Sequence, residues 1–380
     1  MSIRADENSN ERAADLMLSF AKRTGIVSEE GNSKRRYLWT DAFALLNFLA
    51  LNRLENKIEY EKYALRLIDL VHHTLGKFAE NDERRAWISG LNDEEAEKHP
   101  TIAGLRIGKK LPERAPNEPF DQRLEWERDG QYYHYHTRWI TALCAAKEHF
   151  NNSEFQSWAA ELSLAGAKFI EEDPALRMYW KMSVDLSRPL VPSMGAHDPM
   201  EGLLCALQVR NTTDKKQKEF ELYISNLKNL CSGIDWSTTD ALGLGGLLLN
   251  VVRAAKLQKE IDLPASVRPQ KLLSDAEKGL KSFAPSFRSA ESAQYRLAFR
   301  ECGLSLGLRV LEASLNFLEK LNIHTTLDPE IFKLADKIEG FWTDKKNQKS
   351  PTFRDHLDIN EVSLASSLLA RSQPEIFGRA

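Results

Sequence analysis

Two kinds of helical pattern alternate along this chain, and their alternation restricts the fold more than any single motif does. One kind is apolar around most of its circumference. The segment Trp39-Thr-Asp-Ala-Phe-Ala-Leu-Leu-Asn-Phe-Leu-Ala-Leu51 is an example, and a helix with that pattern must be packed on nearly all sides. Similar segments start near Tyr132, Asp198, Asp240, Tyr295 and Asp358. The other kind carries a single apolar stripe. Tyr60, Tyr63, Ala64, Leu67, Ile68, Val71 and Leu75 share one helix face. Phe155, Trp158, Ala159, Leu162 and Phe169 repeat the pattern, with Ser153 and Gln156 spaced as a capping box. Further stripes lie near 10–24, 215–231, 268–283 and 328–342. Six helices of each kind are therefore expected, in strict alternation.

Such a series can close into two concentric rings, the inner one buried on all sides. That solution also answers a size problem, because a single core rarely grows beyond about 250–300 residues and this chain has 380 with no Gly/Ser or Pro-rich linker. The expected fold class is all-α, an (α/α)6 toroid spanning 1–380 as one domain. Hairpin signals with β-branched alternation are scarce, so little sheet is expected.

The outer-then-inner order resembles the (α/α)6 toroid of the six-hairpin glycosidase superfamily, over most of the chain. That resemblance implies a carbohydrate-active enzyme. A second similarity is more local. His197-Asp-Pro-Met-Glu-Gly-Leu-Leu204 resembles an inner-helix start of the N-acylglucosamine 2-epimerase type, with Glu201 standing where that family has a histidine. It implies proton transfer by histidines.

Loop lengths single out one face. Connections from inner to outer helices, near 54–58, 150–152, 211–214 and 322–327, are short, and 258–267 is somewhat longer. Those from outer to inner, near 25–37, 78–129, 173–196 and 343–357, are long, and long loops in compact domains tend to be lids or binding loops. The segment 78–129 is expected to act as a lid. The long loops all precede the amino ends of inner helices, which offer unpaired N–H groups and positive partial charge.

The residues gathered there suit a polyhydroxylated ligand, since rings cover C–H faces while carboxylates and arginines take hydroxyls. Trp39, Trp126, Tyr133, His136, Arg138, Trp236 and His356 are the expected sugar-binding residues. Arg128, Arg138 and Arg188 extend the ligand class to anionic sugars such as a uronate. Glycoside hydrolysis needs two carboxyl groups, for which Asp41, Asp198, Asp240 and Glu125 are the candidates. His134 and His197 are the candidates for acid–base chemistry in a sugar epimerase or isomerase. Competing structural readings exist for several of these. Asp198, followed by Pro199 and Glu201, has the form of a helix N-cap, and so does Asp240 after Thr238 and Thr239. A third reading is a non-catalytic helical scaffold.

Other classes are excluded on simpler grounds. Lys+Arg 52 against Asp+Glu 55 gives a net charge of −3, no footprint for nucleic acid or an anionic membrane. The apolar-plus-glycine run 241–249 is far shorter than the ~20 residues of a membrane span. The start MSIRADENSN lacks an apolar signal core, so a cytoplasmic location is expected. Cys144, Cys205, Cys231 and Cys302 are scattered, and His134 with His136 diverge on a helix. No metal and no cofactor are expected. Gly243, Gly245 and Gly246 follow no strand, so they permit close helix packing and not dinucleotide binding. Substrate identity and oligomeric state are not encoded in any of these patterns.

Overall fold

The structure is a computed structural model and describes residues 2–27, 35–210 and 217–378. The loop expected at 211–214 and most of the one at 25–37 lie outside the described residues. Twelve principal helices occur among the described residues: α1 (Ser2–Arg23), α2 (Leu38–Glu55), α3 (Ile58–Leu75), α4 (Tyr133–Phe150), α5 (Ser153–Ala165), α6 (Asp198–Val209), α7 (Gln217–Leu230), α8 (Ala241–Leu257), α9 (Pro269–Phe283), α10 (Ala298–Lys320), α11 (Lys333–Thr343) and α12 (Leu357–Leu369). The two kinds alternate as their patterns require. In α2 every residue from Leu38 to Asn52 is buried, and only the last three residues are not. In α3 the stripe of Tyr60, Ala64, Leu67, Ile68, Val71 and Leu75 is buried together with His72, and Tyr63 is half-buried at its edge. No helix among the described residues is long and apolar enough to cross a membrane.

The chain divides into two compact units. The first comprises Met1–Lys22, Leu46–Glu61 and Gly233–Ala380, the second Arg23–Leu45 and Lys62–Ser232. In the first unit, α8 packs on α9 and α10, and α10 in turn packs on α11 and α12. The α8–α10 crossing is close because Gly245 faces Gly303 and Gly307, and a Cβ at Gly245 would collide with the Gly303 carbonyl. The Gly245→Ala protein should therefore lose about 1–3 kcal/mol from overpacking; an unchanged urea midpoint would show that the helices can separate freely. Beside this seam, buried Glu339 takes Arg309, Arg371, Ser305 and Ser367, so its charge is compensated on every side.

In the second unit, α4 packs on α5 and α6, and α6 on α7. Its small amount of sheet does positioning work. The strand Gln131–Tyr132 (β1) pairs antiparallel with Lys181–Met182 (β4), which pairs with Pro189–Val191 (β5), while Ile170–Glu171 (β2) and Arg177–Met178 (β3) form a separate ribbon. The segment 166–197 is thereby tied to the amino end of α4. The segment 78–129 is also anchored within this unit, by buried Trp87, Leu105 and Ile107 and by the buried ion pair of Arg106 with Asp129.

Helix starts differ in detail from the sequence expectation. α10 begins at Ala298, and Tyr295 lies in a preceding 3-10 turn, largely exposed. Asn152, not Ser153, caps α5, its side chain accepting from the Glu154 N–H. Asn can bond the first free N–H groups as well as Ser, and it stands one residue earlier.

Candidate active site

The junction between β1 and α4 organises the site, and lies wholly in the second unit. Tyr132 is extended, with φ −101 and ψ 131, and helix begins at Tyr133. Tyr132 and His134 stack across this junction, their ring centroids 5.5 Å apart. β4 brings in Trp180 from 46 residues away. Its carbonyl accepts from Tyr133 N–H at 3.3 Å and its N–H donates to Ser193 O at 2.8 Å. The indole stacks on Tyr132 at 4.7 Å, and its Nε1–H donates to His134 Nδ1 at 3.2 Å. Trp126, half exposed, meets Trp180 edge-on at 4.8 Å.

The acids come from the first turns of α6. His197 occupies the N-cap position and makes no side-chain capping bond to the helix, so Asp198 is the first helical residue and not the cap that its Pro and Glu neighbours suggest. Its carboxyl is instead buried, 4% exposed, with Oδ2 lacking any hydrogen-bond partner. Gly195 packs so closely against this carboxyl that a Cβ there would strike it. Burial, with the Glu201 charge adding to it, pushes the Asp198 pKa up to about 8. Glu201 behaves oppositely. Burial alone would raise its pKa, but Arg138, His197, His134 and the Thr137 hydroxyl outweigh it and hold the group below the usual range. Thr137 Oγ1 donates to Glu201 Oε2 at 2.9 Å, and Arg138 pairs with Oε1. His134 is neutral, its pKa drawn down to about 4 chiefly by burial. At neutral pH the cluster thus holds a protonated carboxyl, an ionised carboxylate and a neutral imidazole. Carboxyl groups whose pKa values are driven apart by their surroundings are a mark of acid–base sites.

The other expected residues have partners of their own. Asp41 accepts from Tyr37 N–H at 3.0 Å and pairs with Arg36 at 3.4 Å, both residues buried. Glu125 is buried between Arg114, at 3.1 Å, and Lys181, at 2.9 Å. Tyr133 is buried and shares a hydrogen bond with Tyr223. His136 points away from His134, its Nε2 against the Leu105 carbonyl at 3.2 Å, and burial lowers its pKa to about 4. Trp39 is buried beside Phe43. Arg128 pairs with Glu118, and Arg188 donates to the Arg114 carbonyl. In the first unit, Asp240 is the cap its sequence suggests, Oδ1 accepting from Gly243 N–H at 2.9 Å and Oδ2 pairing with Arg300. Trp236 is buried, its indole donating to Ser266 O at 2.8 Å, and His356 is exposed at the start of α12.

Trp180 and Thr137 lie outside the expected set, and Glu201 enters the sequence reading only as a helix-start acid that stands where the epimerase type has a histidine. Trp180 sits in a two-residue-strand region without periodicity, so nothing local marks it. Glu201 could have been found from its spacing, since Asp198 and Glu201 are three apart and face the same side of a helix.

No family model matches the sequence, and no curated protein matches it. Solved structures do match. The GH76A alpha-1,6-mannanase of Salegentibacter sp. HEL1_6 superposes with a TM-score of 0.54 at 10% identity, covering 97% of this chain and 100% of its own. The cellobiose 2-epimerase of Spirochaeta thermophila gives 0.53 at 14% identity, over 98% of each chain. A D-mannose isomerase gives 0.53 at 11% identity, over 97% of each. The chain therefore has the (α/α)6 toroid fold of these structures. These structural neighbours are enzymes of more than one reaction type acting on carbohydrates, so the reaction has to be argued from the site and not from the fold.

Proposed function

We propose that the protein is a carbohydrate-active enzyme that hydrolyses a glycoside at the amino end of α6, with Asp198 as proton donor and Glu201 as its partner carboxylate. One observation carries this reading: Asp198 is buried, its Oδ2 unpartnered, its pKa raised to about 8 beside an ionised glutamate. Hydrolysis uses that pairing. Asp198 gives its proton to the glycosidic oxygen as the bond to the anomeric carbon breaks; water adds to that carbon and gives up a proton to Glu201. Trp126 and Trp180 supply aromatic faces for the sugar. The carboxy-terminal part of 78–129 then covers the site, because the Glu125–Lys181 pair holds Trp126 against Trp180. Arg138, Arg128 and Arg188 are all engaged with protein groups, which favours a neutral sugar over a uronate.

The pair is not that of the mannanase. An inactive variant of that enzyme carries alanine in place of two consecutive aspartates, and this sequence has no two aspartates in a row. A second reading, sugar epimerisation or isomerisation, is favoured by the neutral His134 next to the carboxyl groups. A panel of disaccharides, aryl glycosides and free aldoses incubated in D2O separates the two. Hydrolysis creates new reducing ends with no deuterium on carbon, whereas proton exchange at a sugar carbon places deuterium there. A panel that yields neither leaves the scaffold reading standing and overturns both.

A further inference from the structure

We propose that Trp180 is a positioning residue that holds His134 as the Nε2–H tautomer, so that this imidazole presents a hydrogen-bond donor, and not a base, to an oxygen of the sugar. The inference rests on the reading of this cluster as a carbohydrate site. An indole N–H can only donate. The His134 Nδ1 that it meets at 3.2 Å therefore carries the lone pair, and the single proton of the neutral ring lies on Nε2. The planes of the two rings are near-parallel, differing by 6° with centroids 6.1 Å apart, an orientation compatible with donation from the indole N–H to the imidazole lone pair. Tyr132 stacks on both, at 4.7 and 5.5 Å. Turning the imidazole over would set a ring C–H against the indole N–H and lose the bond.

Trp180 cannot easily drift from this position. Its backbone is bonded on one side to Tyr133 N–H and on the other to Ser193 O, and the next residue, Lys181, is paired with Tyr132 in the sheet. Nε2 has no protein partner among the described residues, and the ring is half-buried. Two further influences keep the ring neutral. His134 is the second residue of α4, where the positive end of the helix disfavours an imidazolium, and burial, Arg138 and His136 lower its pKa further, against the opposing pull of Glu201. A neutral imidazole in such a place polarises an oxygen by donation. In hydrolysis it holds a sugar hydroxyl, and in the second reading it polarises the carbonyl of the open-chain sugar. In neither does it remove a proton from carbon.

The tautomer can be read without any substrate. With the histidines labelled with 15N and the His134 signals assigned by their loss in the His134→Gln protein, the expected spectrum at pH 7 has an imine-type shift on Nδ1 and a pyrrole-type shift on Nε2. The reverse assignment, or an imidazolium, overturns the proposal. Trp180→Phe keeps an aromatic face but removes the donor, and should move both shifts toward a mixture of tautomers; unchanged shifts would show that Trp180 does not set the proton. These outcomes stand whether or not the protein turns over a sugar. On whichever sugar the panel identifies, His134→Gln, which retains an N–H donor, should keep turnover within about tenfold, whereas His134→Ala should lose about 10²–10³-fold. Equal losses in the two variants would make His134 a base and overturn the donor role.

Discussion

Asp198→Asn should lower turnover by about 10²–10⁴-fold, the usual worth of a positioned acid, while leaving the protein as stable as before or more so. The stability half follows from the protonation state. An aspartate in the unfolded chain titrates near about 3.9, whereas in the folded protein burial and Glu201 raise the Asp198 pKa to about 8. Between those values the folded state holds the extra proton. Stability from this group is full below the unfolded pKa and falls as pH rises toward 8, by up to about 1.4 kcal/mol per pH unit. An asparagine keeps the size of the protonated acid and has no such dependence. Urea unfolding of the two proteins at pH 5 and pH 8 should therefore show a gap that widens with pH in favour of the variant. If the wild-type curve shows no added slope, Asp198 is ionised at neutral pH and cannot be the proton donor.

The second large effect is expected at Glu125, and it is an effect on stability. Lys181 is fully buried and pairs with Glu125, which also takes Arg114. Burial pulls the Lys181 pKa down and the Glu125 carboxylate pulls against it. Glu125→Gln removes the counter-charge from two cations and should cost about 3–5 kcal/mol, read as a lower urea midpoint, with turnover per folded molecule retained. Replacing both partners, Glu125→Leu with Lys181→Met, should cost less than the single change, because no ammonium is then left unpaired in the interior. A single variant that is fully stable but inactive would return Glu125 to the catalytic pair.

Asp198 and Asp240 show why the site was only partly legible. In sequence they look alike, each an aspartate before an apolar helix with capping neighbours. Asp240 caps α8, its Oδ1 on Gly243 N–H. Asp198 lies one position inside α6, where its side chain cannot reach back over the first free N–H groups and is buried against Gly195. A one-residue difference in helix start separates a structural acid from a candidate proton donor. Asp41 shows the opposite case. A carboxylate beside an apolar run needs a partner, and the partner proves to be Arg36, five residues back.

The order and kind of the helices follow from local residue pattern alone. The apolar stripe of α3 and the all-round apolar surface of α2 are local patterns, and burial follows them directly because each helix must hide the face it carries. The scarcity of sheet and the placing of long segments before inner helices are legible for the same reason. Which polar residues meet is set by the packing of segments far apart in the chain. His134 and Trp180 are 46 residues apart, Arg138 and Glu201 63 apart, and Glu125 and Lys181 56 apart. A side chain's protonation state depends on the charges and the solvent around it, and those are supplied by segments that no periodicity connects.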